Sequence, residues 1–209
     1  GWIKKTSLDA FEKTSSRGLI IASLTDDDKL KWCHRCKDGD DILMGSTRGM
    51  ATRFNTADLR PTGRTSRGVR AMTLREGDTI AAMNVLGGSV DSKGEKEKEF
   101  VRCVTSQGYG KRISTDEFRV TGRGLVGVIA IKFKKAGGQQ DRMSCFCIVN
   151  QDDEILVNTA KGVMVRQKVS RIPSQGRTAT GVVVQKVDGG DHITSVSLVS
   201  EIEELDADE

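Results

Sequence analysis

Residues 108–127 read GYGKRISTDEFRVTGRGLVG, and the same grammar returns at 49–68 (GMATRFNTADLRPTGRTSRG) and 162–181 (GVMVRQKVSRIPSQGRTATG). Each copy opens on a turn glycine: Gly49, Gly108, Gly162. Four residues on stands a base (Arg53, Arg112, Arg166), and ten residues on an apolar anchor (Leu59, Phe118, Ile172). A Gly and an Arg follow at one spacing, Gly63 and Arg64, Gly122 and Arg123, Gly176 and Arg177. A last glycine then precedes a valine, at Gly68, Gly127 and Gly181. A fourth copy starts at Gly1 (GWIKK) with Lys5 and Phe11 in register. It is two residues shorter, running through Arg17 to Gly18, and lacks the Gly and Arg pair. Turn glycines spaced by 48, 59 and 54 residues suit a unit of four short strands, the length of one propeller blade.

The remainder of each unit repeats too. LTDDDKL, LREGDTI and VDGGDHI place Asp28, Asp78 and Asp191 just before an apolar strand, and Asp141 does so after the longer turn AGGQQ. The strands expected next are KLKWCHRC, TIAAMNVL, RMSCFCIV and HITSVSLV, and DILMGSTRG, EFVRCVTSQG and EILVNTAKG return to the next turn glycine. Short β-rich runs split by Gly, Asp and Asn turns, with no helical stretch, make the chain all-β. The boundaries read as repeats at 1–37, 38–86, 99–149 and 150–200, a polar inter-blade loop at 87–98 and an acidic tail at 201–209. The first repeat begins at its turn glycine without the strand that should precede it, so the N-terminus is expected to cut into a blade.

No apolar run approaches the roughly 18 residues needed to cross a bilayer, and no basic-then-apolar leader or initiator Met is present. The chain is therefore read as a fragment of something longer, with no membrane partner. Its charge is uneven. The net +4 hides six acids in the last nine residues, EIEELDADE, which leaves 23 acidic against 33 basic residues before them. A basic body suits a polyanion, and the tail is a plausible competitor for the same surface.

GYGKRISTDEFRVTGRGLVGVIAIKF and DDEILVNTAKGVMVRQKVSRIPSQGRTATGVVV resemble the final blades of the C-terminal domain family of gyrase and topoisomerase IV A subunits. DDDKLKWCHRC looks most like the plastid or mitochondrial members. The resemblance spans nearly all of residues 1–200. It implies a β-pinwheel, a propeller-like disc of four-stranded blades that exchange a strand, with about four blades visible. It also implies duplex DNA bent around a basic rim, without sequence preference, by the accessory domain of an ATP-dependent type II topoisomerase. Partners would be double-stranded DNA, the rest of the A subunit, and the B subunit in a heterotetramer. ATP and Mg would serve that whole enzyme, and no cofactor is expected in this stretch. The compartment would be a bacterial cytoplasm, or a plastid or mitochondrion, with the protein on the nucleoid. Members of the family usually have six blades and a box rich in glutamine, arginine and glycine in the first. The nearest stretch here, 13–18, lacks the paired arginines and glycines, so that blade is expected upstream. The alternatives that remain are a topoisomerase IV-type domain and a propeller-like protein-interaction scaffold.

Wrapping duplex requires cations along an arc, because neutralised phosphates release counterions and the bend costs elastic energy. The repeat offers Lys4, Lys5, Arg53, Lys111, Arg112 and Arg166 after the turns, and Arg64, Arg123 and Arg177 beside the loop glycines. Arg17, Arg67, Arg70, Arg119, Lys168 and Arg171 lie close by. An Arg after a turn glycine can equally cap strand ends, so each is open to a structural reading. Few aromatics argue against a single-strand stacking platform. Cys33 and Cys36 have the spacing of a zinc half-site, but repeat register aligns them with Met83 and Leu86, which reads them as core. Cys145 and Cys147 share a strand face without a second half-site. His34 and His192 lack a matched nucleophile, Tyr109 sits in a Gly-Tyr-Gly turn, and no phosphate loop is present. No catalytic residue or metal site is expected in this stretch.

Overall fold

The computed structural model describes residues 1–13, 16–25, 27–87, 99–134 and 141–199. Most of the polar 87–98 insert, the AGGQQ turn and the acidic tail lie outside the described residues. Thirteen strands are described: β1 (Trp2–Ile3), β2 (Asp41–Ser46), β3 (Met50–Asn55), β4 (Val69–Arg70), β5 (Ile80–Leu86), β6 (Phe100–Thr105), β7 (Tyr109–Ser114), β8 (Val128–Ile129), β9 (Met143–Val149), β10 (Glu154–Thr159), β11 (Met164–Lys168), β12 (Val182–Val183) and β13 (Ile193–Val199). The all-β reading holds.

The sheets mix repeats. One runs β5-β2-β3-β8 and the next β12-β7-β6-β9, so a short strand from the following repeat completes each blade. Every pairing of named strands is antiparallel. β4 of the second repeat pairs with β1 of the first in the same way. The last blade, β11-β10-β13, has three described strands. This is the strand-exchanged pinwheel that the resemblance implies.

Glycine makes the exchange possible. Gly127 lies at φ +83°, and a Cβ there would stand 2.1 Å from the Ala51 carbonyl oxygen. Gly68 and Gly181 repeat this against Ile3 and Gly110 at 2.4 and 2.5 Å. Only a residue without a side chain can turn into the exchanged strand so close to its neighbour's backbone. The Asp register is equally mechanical. Asp78 Oδ1 accepts from Thr47 Oγ1, Arg48 N and Thr79 N, closing the preceding hairpin. Asp141 does so with Ser106, Gln107 and Arg142, and Asp191 with Lys161 and His192. Hydrogen bonds from Thr159, His192 and Lys161 hold the Asp191 carboxyl below the usual range despite desolvation.

The apolar anchors end short 3-10 turns and fill the space between blades. Leu59 packs with Ile42, Met44 and Phe54. Phe118 packs with Leu43, Val101 and Phe146, meeting the Phe146 ring edge-on at 6.1 Å. Ile172 closes the third cluster with Val104, Ile155 and Ile193. Two of the three core clusters are therefore inter-blade seams, and the Leu59 cluster is built from buried residues of the second repeat.

The first repeat departs from the expectation. Residues 29–36, read from the sequence as a strand, form none, and Cys33 and Cys36 are exposed where register placed them in the core. In the second and third repeats the equivalent strands, β5 and β9, pair with the strand ahead of the turn glycine, β2 and β6. Among the described residues no strand stands ahead of Gly1 to offer 29–36 the same ladder.

Candidate nucleic-acid interface

The loops bearing Arg64, Arg123 and Arg177 hang from the preceding repeat by fixed backbone bonds. The amides of Thr62, Thr121 and Gln175 donate to the carbonyls of Lys5, Arg53 and Arg112 at 2.8–2.9 Å. Past each loop, Ala71, Ala130 and Val184 donate to the turn-glycine carbonyls of Gly1, Gly49 and Gly108. Each Gly and Arg pair is thus presented on a rigid seam.

The structure divides the fifteen candidate bases into two groups. Lys111 is wholly buried, and its Nζ donates to the carbonyls of Gly176, Arg177 and Ala179 at 2.7, 2.6 and 2.8 Å. Burial brings its ammonium down to about 8. Lys4 grips the loop of the second repeat likewise, through the carbonyls of Gly63, Arg64 and Ser66, and also reaches the Ile21 carbonyl of its own repeat. Lys5 meets Asp38 and the Thr56 carbonyl, both at 3.0 Å. Arg53 places Nε and Nη2 on Asp41, at 2.9 and 2.7 Å, and Nη1 on the carbonyls of Thr115 and Phe118. Arg112 is buried, donates to the Ile172 carbonyl at 2.6 Å, and lies over the Phe100 ring at 5.1 Å. The charged ends of these five residues hold loops and anchors from behind. Arg166 is exposed but engaged by Glu154.

The second group faces outward. Arg17, Arg67, Arg70, Arg119, Arg123, Lys168 and Arg171 are exposed, and Arg64 and Arg177 are half-buried. None of them forms a side-chain ion pair with an acid among the described residues. Arg123 touches the carbonyls of Asp58 and Arg70 at 3.4 Å, and Arg177 that of Ile129 at 3.2 Å. Arg70 and Ile129 occupy one register on the exchanged strands β4 and β8. The Arg123 and Arg177 loops are therefore linked in series, each braced on the exchanged strand of the repeat before it. Planar guanidinium forks with donors to spare suit phosphate oxygens.

Two bases escaped the sequence reading. Arg60 is exposed and shares the register of Arg119, one residue past the anchor, and that repetition was its available signal. Lys132 is exposed beside the Arg177 loop, its amide donating to Ala179. Lys186 stands at the same spacing past Gly181, and that repetition was its available signal.

The family model of the DNA gyrase C-terminal domain, beta-propeller, matches residues 1–37, 40–86, 102–137 and 153–200. The chain belongs to this gyrase C-terminal domain family. Among its relatives, the DNA gyrase A subunit of Synechocystis sp. is 37% identical over 224 residues, covering 95% of this chain and 26% of that protein. The chloroplastic/mitochondrial gyrase A subunit of Nicotiana benthamiana is 30% identical, covering 96% and 23%. The gyrase-family chain thus spans about a quarter of the length of these relatives. Among solved structures, the C-terminal domain of DNA topoisomerase IV superposes with a TM-score of 0.83 at 26% identity, covering 95% of this chain and 59% of that one. The DNA gyrase A C-terminal domain gives 0.72 at 28%, covering 87% and 58%.

Proposed function

We propose that this chain binds duplex DNA through phosphate contacts and bends it, as the accessory domain of the A subunit in a type II topoisomerase. The observation that carries this reading is the series of Gly and Arg loops, whose guanidinium groups form no ion pair with an acid among the described residues while buried lysines and arginines hold the loops in place. The proposed contacts are Arg64, Arg123 and Arg177, flanked by Arg17, Arg67, Arg70, Arg119, Lys168 and Arg171. Lys4, Lys5, Arg53, Lys111 and Arg112 act one layer behind, by fixing the loops. Such a surface reads the backbone and bends whatever sequence lies on it.

In the parent protein the bent duplex would be presented for ATP-driven strand passage, with the B subunit and the remaining A-subunit domains supplying the chemistry, ATP and Mg. The relatives' names support a bacterial or organellar setting. The superposition on topoisomerase IV supports a second reading, in which the chain binds duplex but constrains little supercoil. Topology assays with a relaxing enzyme separate the two.

The test is the salt dependence of duplex binding. Replacing Arg64, Arg123 and Arg177 with Gln removes three phosphate contacts, so the log–log slope becomes shallower by about 2.7. Affinity falls alike for unrelated sequences. An unchanged slope with the fold intact by circular dichroism would show that these arginines only support the blades.

A further inference from the structure

Three strand positions differ between the third repeat and its neighbours. Arg102 on β6 occupies the slot of Leu43 on β2 and Leu156 on β10, as their pairing with Arg112, Arg53 and Arg166 shows. Across the ladder stand Cys145 and Cys147, where the second repeat has Ala82 and Asn84 and the fourth has Ser195 and Ser197. The fold is built with leucine in this slot twice, so neither the arginine nor the cysteines are needed to form a blade. They occur together.

Arg102 is fully buried, in the seam between the third and fourth blades. Its Nη2 lies 3.3 Å from Cys145 Sγ and 3.1 Å from Cys147 Sγ, and the sulfurs are 3.6 Å apart. Nε and Nη1 have no hydrogen-bond partner among the described residues. Guanidinium does not give up its proton in proteins, and a buried cation without an anion is costly. None of the described salt bridges involves Arg102. The available anion is a thiolate. The hydrogen bond with Cys147, then the charge of Arg102, bring the Cys145 thiol down to about 6 against the effect of burial. The same hydrogen bond and burial push Cys147 up. The two thiols thus lie within hydrogen-bond reach of each other and of one fixed positive charge, with Arg112 next to Arg102 on the neighbouring strand.

We propose that Cys145 and Cys147, with Arg102 as fixed counter-charge, form a peroxide-reactive dithiol site that closes to a Cys145–Cys147 disulfide. Hydrogen peroxide enters past Cys147, which is half-buried. The Cys145 thiolate attacks one peroxide oxygen, the O–O bond breaks, and hydroxide leaves. The Cys147 sulfur then attacks the sulfenic acid, the S–O bond breaks, and the departing hydroxyl takes the Cys147 proton as water. One thiolate, one thiol and one peroxide thus give a disulfide, one water and one hydroxide. Cysteines two apart on a strand are about 6.6–6.8 Å apart at Cα, at the long end of what a disulfide spans. The closed form is accordingly strained and easily reduced, as a reversible site requires. Closing it removes the anion that Arg102 faces.

The test is peptide mass spectrometry of the folded protein after brief exposure to dilute hydrogen peroxide. The peptide containing 143–149 should lose two mass units and regain them with dithiothreitol. The oxidised protein should melt about 5–10 °C lower, as expected when a buried pair is broken in a domain of this size. Arg102→Leu, using the residue that fills this slot in two other repeats, should slow the oxidation at least about tenfold by raising the thiol. Cys147→Ser, using the serine of the fourth repeat, should stop at a sulfenic acid that dimedone captures on Cys145. This second arm decides the matter if Arg102→Leu does not fold. The proposal fails if both cysteines stay reduced until the protein unfolds, or if folded Arg102→Leu oxidises at the wild-type rate. It fails equally if Cys147→Ser gives no dimedone adduct. These readouts do not depend on DNA binding.

Discussion

Replacing Gly108 and Gly162 one at a time with alanine isolates what strand exchange contributes. The two glycines head equivalent hairpins, β6–β7 and β10–β11, at φ +84° and +87°. Alanine in this left-handed region costs about 1 kcal/mol at either site. At Gly162 nothing lies within 4 Å of the added Cβ, so the cost should end there. At Gly108 the Cβ would stand 1.9 Å from the Gln185 carbonyl oxygen. That segment is held by Val184 N and Gln185 N on the Gly108 carbonyl, at 2.8 and 3.2 Å, and continues β12 on the edge of β7. Relieving the clash means giving up these two bonds and part of the seam, about 2–3 kcal/mol more. Gly108→Ala should therefore melt about 5–10 °C below Gly162→Ala. Hydrogen exchange at Val184 and Gln185 should accelerate in the first variant alone. Equal melting temperatures and unchanged exchange would mean that the exchanged strand is not seated on the turn, and the account of the blades would be wrong.

Lys111→Met should lower stability by about 2–3 kcal/mol, because three loop carbonyls lose a charged donor and only part regain water. It should also weaken duplex binding although Lys111 itself is buried, and unchanged affinity would show that the Arg177 loop stands without it. In the folded chain the Lys111 ammonium titrates at about 8, against about 10.4 when solvated. Across that window the unfolded chain binds more protons, so the residue's contribution to stability rises with pH. Urea unfolding should show the gap between wild type and Lys111→Met widening from pH 8 to 10, and a narrowing gap would refute this. Asp78→Ala should cost about 2 kcal/mol through three lost bonds. Asp28→Ala should cost under about 0.5 kcal/mol, since among the described residues exposed Asp28 accepts only from Lys29, and denaturation of the two variants checks the contrast. Iodoacetamide should label Cys33 and Cys36 in the folded protein but leave Cys103, fully buried and pushed up by desolvation, until unfolding. Equal protection of all three would put 29–36 back into a seam.

What the sequence determined by itself is whatever is local or periodic. Turn glycines at positive φ and anchors ten residues past each turn depend on spacing along one strand or loop, and the aspartates recur at one place in the repeat, so a fourfold register exposes them, although the hairpins that the aspartates close lie about thirty residues upstream. The sequence also carried the candidate bases, but it could not sort them. Arg112 and Arg166 hold one register, yet Arg112 is buried against the anchor of the next repeat while Arg166 is exposed and pairs with Glu154. Lys111 and Lys4 were legible as charges, and only the loops folding back over them turned those charges inward. The same is true of the cysteines. Cys33 and Cys36 read as core because register assumed a strand partner that is not among the described residues, whereas Cys145 and Cys147 acquire their chemistry from Arg102, which precedes them by more than forty residues. Tertiary structure decided these outcomes because a side chain's electrostatics follow from the groups packed against it, and across a blade seam those groups come from a different repeat.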